Sequence, residues 1–451
     1  MTADKSSRIV IVGAGLFGLC MAHQLAAEGY KSITVLDRDM PPVPTGSSTD
    51  ISRVIRFDYA DADYCAIAHD AYKAWNEPKY TETGIFKQAA YVLSGNTSAH
   101  GQAWIKSTTA ALDARSLPWE GIESADEAKK RFPVLTGDLA RGPFNGYLNL
   151  QAGWADSGRA IALLRDECLA LGVKFVVGEE GTVVSLNHFT SPSGNKSKSI
   201  ESVKTLAGTT VQGDHFVFAI GAWISTLLPM YNSTMATAQV LGYMRLSPEE
   251  VDKYKDLPIY YNASTGWFNF PPHPETQILK VAIHGWGYTR SLTPQEMKTM
   301  NLPPASSSDL SSPPPLSSSA NRKNFTPQEG ESRLKKGLIE ILPELADRPF
   351  ERTSVCWYTD TPSGDFILDF HPDYESGNVF VAGGGSGHAF KFLPVLGPYL
   401  TQAWSGTLPQ NLANKWRFRT EYADREDAFW GDGSRGGPQR REFDREEKAK
   451  L

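Results

Sequence analysis

Three glycines and an aspartate at fixed spacing are the first residues that could do chemistry. Gly13-Ala14-Gly15-Leu16-Phe17-Gly18 is a G-x-G-x-x-G run, and Asp37 follows Gly18 by 19 residues. A pyrophosphate binds where backbone N–H groups can approach it. Gly13 allows the tight turn, Gly15 leaves room for the phosphates, and Gly18 lets a helix lie against the preceding strand. An acid at the position of Asp37 accepts hydrogen bonds from ribose hydroxyls. Arg38 beside it joins this set. The pattern points to a dinucleotide without deciding which. Lys280 is the second unusual residue, standing between Leu279 and Val281 in an apolar run. A buried ammonium there is costly unless it is paired or used. His284, four residues on, shares its face of a strand, although a satisfied core histidine is the plainer reading of that residue. A second glycine turn, Gly383-Gly384-Gly385-Ser386-Gly387-His388, precedes a predicted helix. Free N–H groups and a positive helix end make such a turn hospitable to a negative ligand.

These residues need elements to hold them. Residues 8–12 form an apolar run suited to a buried parallel strand. A helix follows to Gly29, which serves as its C-cap, and residues 33–36 form a second strand. Helices are expected over 63–75, 157–171 and 390–404, and strands over 173–177, 215–220 and 379–382. Aromatic strands such as 266–270 fall elsewhere. The interleaving predicts an α/β nucleotide-binding domain made of 1–88, 148–228 and 349–451. It is interrupted twice by an α+β, sheet-based substrate domain of 89–147 and 229–348. The Ser/Pro-rich stretch 303–325 cannot pack a core and reads as a solvated insertion.

Composition narrows the classes. At 451 residues the chain exceeds one compact core, and hydrophobic (41%) and charged (21%) fractions are those of an ordinary globular protein. A net charge of -6 argues against a nucleic-acid binder. Cys20, Cys65, Cys168 and Cys356 are far apart, so no metal cluster or disulfide framework is expected. Residues 9–27 look like a signal peptide or short anchor, but three glycines and a strand–turn–helix account for them better. No membrane span is expected.

Three further segments agree in order and spacing with one family. They are Gly46-Ser47-Ser48-Thr49-Asp50-Ile51-Ser52-Arg53-Val54-Ile55-Arg56, then Leu279-Lys280-Val281-Ala282-Ile283-His284-Gly285. The last is Cys356-Trp357-Tyr358-Thr359-Asp360-Thr361-Pro362 with Ser386-Gly387-His388-Ala389-Phe390-Lys391-Phe392. With the N-terminal glycines, the chain resembles the monomeric sarcosine oxidase family of flavoproteins over nearly its whole length outside the insertion. It looks closest to the fungal branch of fructosyl amino acid, saccharopine and pipecolate oxidases. The resemblance implies a Rossmann-like FAD-binding domain interleaved with a substrate domain, as in glutathione-reductase/D-amino-acid-oxidase-like flavoproteins.

It also implies roles. Cys356 stands where the family links FAD through a thioether; by composition alone, a cysteine beside Trp and Tyr is a buried hydrophobe. Ser47, Ser48, Gly385, Gly387, His388 and Lys391 fall in the cofactor-binding set, where a helix dipole suits the negative charge of a reduced flavin. Arg56 and Lys391 match the pair that holds the substrate carboxylate, a fork of donors plus a second cation. Arg53 and Lys280 match cations beside the flavin ring, with Lys280 favouring O₂ reduction, and His284 and Tyr358 belong to the same catalytic group. Tyr358 shares a strand face with Cys356 and lines the amine pocket, and Tyr59 is expected to do so too. The implied reaction oxidises a secondary amine of amino-acid type to an imine and reduces O₂ to H₂O₂, in a monomer. A dehydrogenase with another acceptor, or an inactive flavin-binding protein, is the alternative. In the bacterial members two histidines replace Ser48 and Thr49, which argues against sarcosine as the preferred substrate. Finally, Ala449-Lys450-Leu451 resembles the S-K-L peroxisomal address, read by an import receptor, on a tail expected to be charged and flexible.

Overall fold

The computed structural model describes residues 4–95, 99–139, 145–190, 196–300, 310–315, 325–375, 377–423, 429 and 431–451. Along the chain run β1 (Arg8–Val12), α1 (Leu16–Ala27), β2 (Ser32–Leu36), α2 (Ala62–Trp75), α3 (Ser157–Ala170), β3 (Lys174–Val176) and β4 (His215–Phe218). Then come β5 (Met235–Arg245), β6 (Ile278–Ile283), β7 (Arg352–Asp360), β8 (Ile367–Phe370), β9 (Val379–Gly383) and α4 (Leu393–Ser405).

Six strands form one sheet in the order β8-β9-β4-β1-β2-β3, parallel except for the β8–β9 pair. Ile9, Val10, Ile11 and Val12 are all buried, because a central parallel strand is covered on both faces. α1 lies against this sheet, its Leu19, Met21, Ala22 and Leu25 buried in the same core as Leu396 and Leu400 of α4. The turn between β1 and α1 leaves no room for side chains. Gly13 has φ +108, and a Cβ on it would lie 2.5 Å from Ala219 O. A Cβ on Gly18 would lie 1.9 Å from Gly13 O. Cys20, Cys65 and Cys168 are buried on α1, α2 and α3.

The second, ten-stranded sheet is mainly antiparallel, and β5 lies between β6 and β7. The register opposes Tyr243 to Lys280, Gln239 to Cys356 and Thr237 to Tyr358. Directly opposed residues share a face and successive ones alternate. Ala236, Ala238, Val240, Val281 and Ile283 therefore pack into an apolar core with Leu334, Leu338 and Ile341 of the helix Gln328–Ile341. Tyr358, Cys356, Leu241, Tyr243, Lys280 and Ala282 fall on the opposite face, toward the first sheet. No helix among the described residues is long and apolar enough to cross a membrane.

Two expectations need correction. Most of the Ser/Pro-rich stretch lies outside the described residues, but 310–315 is not solvated. Ser311 and Ser312 are buried, Ser311 Oγ donates to Ala236 O, and the Arg290 backbone N–H donates to Ser311 Oγ. The Ser311 hydroxyl and the Ser312 backbone N–H, which donates to Arg290 O at 3.0 Å, are satisfied by protein, which a composition rule does not foresee. Nor is the C-terminal tail loose. Arg445–Lys448 is a helical turn with a capping box from Asp444 and Glu447. Arg441 pairs with Glu447, Phe443 stacks on Tyr288, and Leu451 is 6% exposed in the second core.

Candidate active site

Two open cavities join between the sheets, of about 1350 and 830 Å³, sharing Gly15, Ser47, Ser48, Ala219 and Gly221 in their walls. The smaller is lined by Gly13, Ala14, Asp37, Arg38 and Thr49. Asp37 accepts the backbone N–H groups of Ala14 and Arg38, both at 2.7 Å, and burial raises its pKa against those bonds. The Arg38 guanidinium lies over the Trp223 ring. Ser48 Oγ accepts the Leu16 N–H at 2.9 Å and so fixes the loop over the start of α1. Thr49 Oγ1 is buried and has no hydrogen-bond partner among the described residues.

The larger cavity gathers most of the remaining predicted residues. Arg53, Arg56, Lys280, His284, Cys356, Tyr358, Gly385, Gly387, His388 and Lys391 all line it. On one side stands a compensated charge cluster. Lys280 is 2% exposed; its ammonium meets Asp50 at 2.7 Å and donates to Ser52 O at 2.7 Å. Burial pushes its pKa down to about 8, while Asp50 opposes the fall. Arg53 meets Asp50 at 2.6 Å and donates to Ser47 O at 2.8 Å. The thiol of Cys356 faces the same space. Burial raises its pKa, and Arg53 works against that rise. Gly387 packs on Tyr358 so closely that a Cβ would lie 2.2 Å from the ring.

On the other side the cations are held differently. Arg56 donates to Asp58 O and is ringed by Tyr59, Tyr91 and Trp104 at 5.2–5.5 Å. Lys391 donates to Tyr59 Oη and His388 O, both at 2.8 Å, and its own carbonyl accepts Trp75 Nε1 of α2 at 2.7 Å. Among the described residues no carboxylate oxygen lies within 4 Å of either cation. Burial, then Arg56, depress the Lys391 pKa well below its ordinary value.

The protons here can be placed. His388 Nε2 faces Gly364 O at 2.8 Å, and a carbonyl only accepts, so Nε2 carries the hydrogen. Burial lowers the His388 pKa to about 4, so Nδ1 is bare and accepts from Tyr59 Oη at 2.9 Å. A one-way chain results: Lys391 to Tyr59 to His388 to Gly364. Tyr59 thus stands behind Lys391 and is not part of the cavity wall, contrary to expectation. Ser434 Oγ gives its single hydrogen to Asp432 Oδ1 at 2.6 Å and so accepts from His284 Nε2 at 3.0 Å. His284, its pKa lowered by burial and Arg435, is neutral with Nδ1 left as an acceptor.

Sequence reasoning missed Asp50, although it lies three residues before Arg53 in the quoted segment. It also missed 431–437, a glycine-flanked stretch that returns to the cavity. There Arg435 pairs with Asp360 at 2.5 Å and donates to Ser386 O and Gly285 O. The Asp-x-Ser-Arg grouping between glycines was the available signal.

The family model DAO, FAD dependent oxidoreductase, matches residues 8–403. The chain belongs to this family. L-saccharopine oxidase of Schizosaccharomyces pombe is 29% identical over 92% of this chain and 94% of its own length. Peroxisomal sarcosine oxidase of Homo sapiens is 26% identical over 87% of this chain and 90% of its own. Among solved structures, fructosamine oxidase Amadoriase II of Aspergillus fumigatus superposes with a TM-score of 0.83. It is 27% identical and covers 98% of this chain and 96% of the other. The expected family, fold and FAD dependence are borne out. The residues fit FAD: Gly15, without a side chain, lines both cavities at the start of α1, and Thr49 Oγ1 lacks a partner among the described residues that a ligand in the smaller cavity can supply.

Proposed function

We propose that this flavoenzyme oxidises a secondary amine bearing a carboxylate to the imine, with O₂ as acceptor and H₂O₂ as product. The observation that carries the reading is Arg56 with Lys391, two cations in one cavity wall with no carboxylate of the described residues within 4 Å. A substrate carboxylate supplies the missing counter-charge, with the fork of Arg56 and the remaining N–H of Lys391 as donors. Fixing that group sets the position of the adjoining C–N bond, which is catalysis by orientation. FAD, when bound, supplies the two-electron acceptor. The amine must lose its proton before oxidation. Arg56 and Lys391, which meet no carboxylate of the described residues within 4 Å, disfavour a further positive charge in the wall, and His284 Nδ1 offers the amine an acceptor. The names of the relatives, L-saccharopine oxidase and sarcosine oxidase, support an amino-acid substrate.

We assign Cys356 as the covalent attachment point, supported by its thiol in the cavity wall beside two cations. We take the peroxisome as the place of action, supported by the Ala449-Lys450-Leu451 resemblance and by the name of the human relative. A receptor must then draw Leu451 out of its apolar seat. The functional test is H₂O₂ release from a panel of N-substituted amino acids against the same amines without the carboxylate. Release from the first set alone is expected, and equal rates on both sets defeat the proposal.

A further inference from the structure

Asp50 has no free capacity. Oδ1 accepts the Ile51 N–H at 2.8 Å and Tyr243 Oη at 3.0 Å. Oδ2 accepts Arg53 at 2.6 Å and meets Lys280 at 2.7 Å. An ionised carboxylate has about four acceptor sites, and all four are taken. Its side chain is 4% exposed, and it does not line the cavity. Asp50 is therefore neither a base for the substrate nor a ligand to it.

Its main chain is anchored as firmly. Asp50 O accepts the Gly158 N–H at 3.0 Å and Ser157 Oγ at 2.9 Å, at the start of α3. The carboxylate thus ties together the loop over the cofactor cavity, β5 through Tyr243, and β6 through Lys280. The charged and titratable groups facing Lys280 are Asp50, Arg53, the Cys356 thiol and, through Asp50, the Tyr243 phenol. Arg352 lies behind, over the Tyr243 ring at 3.8 Å. Asp50 is the one carboxylate among them.

Lys280 spends two of its three N–H bonds on Asp50 and Ser52 O, and it lines the cavity. One N–H remains for a reacting group. We infer that Asp50 is a positioning residue for the oxygen step, holding Lys280 charged and aimed while taking no part itself. This rests on the proposed oxidase activity and adds a residue to it. Without the Asp50 charge, burial and Arg53 both favour the neutral amine of Lys280, with only the weaker influence of Cys356 against them.

The test uses FAD-loaded protein reduced chemically with dithionite and mixed with O₂ in a stopped-flow instrument, so that no amine substrate enters. Asp50→Asn is expected to slow reoxidation at pH 7 by about 10²-fold, comparable with Lys280→Met. The double variant should reoxidise within about threefold of Lys280→Met alone, because one residue acts through the other. The wild-type rate should fall as pH rises through about 8, and Asp50→Asn should move that fall to lower pH. A second readout needs no turnover. Asp50→Asn should lower the melting temperature of the loaded protein by roughly 5 °C, because it strands two buried cations, and adding Lys280→Met should restore part of the loss. A wild-type reoxidation rate in Asp50→Asn overturns the inference. So does a double variant slowed by the product of the two single factors. If Asp50→Asn does not load FAD, Tyr243→Phe removes one bond to the carboxylate and should slow reoxidation several-fold; an unchanged rate overturns the inference equally. A wild-type protein that oxidises no carboxylate-bearing amine defeats the proposed function and leaves this comparison standing.

Discussion

Removal of Arg56 or Lys391 should separate carboxylate-bearing amines from those without one. Arg56 has five N–H donors and spends one on Asp58 O, while Tyr59, Tyr91 and Trp104 surround its guanidinium. Enough donors remain for two parallel bonds to a carboxylate. Lys391 has three and spends two, on Tyr59 Oη and His388 O, so it offers one. Truncating one partner of an enclosed, hydrogen-bonded charge pair costs about 2–5 kcal/mol, or about 30- to 4000-fold in kcat/KM. Arg56→Ala should fall in the upper half of that range and Lys391→Met in the lower. Both losses should appear mainly as raised KM. Lys391 also sets a pH dependence. Its pKa is depressed by burial and Arg56, and only the protonated form, present below that pKa, binds an anion. Affinity for the carboxylate should therefore fall as pH rises through it, and Lys391→Met should remove that slope. The assay is steady-state H₂O₂ release over a pH series with an N-substituted amino acid and its decarboxylated analogue. Equal losses on the two substrates refute the clamp.

Cys356→Ser should leave FAD bound but released on denaturation, and a denatured chain that still carries the mass of FAD places the attachment elsewhere. Lys280→Met should slow the oxygen half of turnover by about 10²–10³ and the amine half little; rapid-mixing measurement of each half decides, and equal slowing removes the role. Arg435→Ala strands Asp360, which is 4% exposed and left, among the described residues, with only Thr237 Oγ1 as a side-chain donor. It should cost about 3–5 kcal/mol in thermal unfolding and loosen the Ser386–Gly387 turn, and an unchanged melting curve contradicts this.

Local patterns carried much of the site. G-x-G-x-x-G was legible because each glycine is enforced within one turn, as the 1.9 Å approach at Gly18 shows. Lys280 was legible because a lysine in an apolar strand breaks its own rule. Period-two spacing puts Tyr358 with Cys356 and His284 with Lys280 on a common face, and all four line the cavity. What failed depended on pairing across the chain. Asp432, Ser434 and Arg435 meet His284 and Asp360, residues 75 to 150 positions away, and no local periodicity encodes that return. Tyr59 is expected in the amine pocket, while its hydroxyl is consumed between Lys391 and His388. Ser311 and Leu451 were assigned to solvent from the character of their neighbours, although each is fixed by its own contacts.

The two ends of the cavity solve one electrostatic problem in opposite ways. Burying a cation is costly unless a counter-charge accompanies it. At Lys280 and Arg53 the protein supplies that charge itself through Asp50, so the positive field there is present at every stage of turnover. At Arg56 and Lys391 it supplies aromatic rings, carbonyls and a hydroxyl as direct partners, keeps the carboxylates of Asp58 and Asp432 beyond 4 Å, and leaves the direct counter-charge to come from outside. A built-in carboxylate at the second site would compete with the substrate for the same donors. Burial and Arg56 depress the Lys391 pKa, Asp432 and Asp58 oppose this from beyond 4 Å, and the donors of the pair stay available to an amino-acid carboxylate that a bare amine lacks. A fixed charge suits a step in which negative charge develops during reaction, and an uncompensated pair suits a step that must select and release an anion. By that logic, introducing an acid beside Lys391 should weaken substrate binding while leaving the oxygen step unchanged. Removing Asp50 should do the reverse.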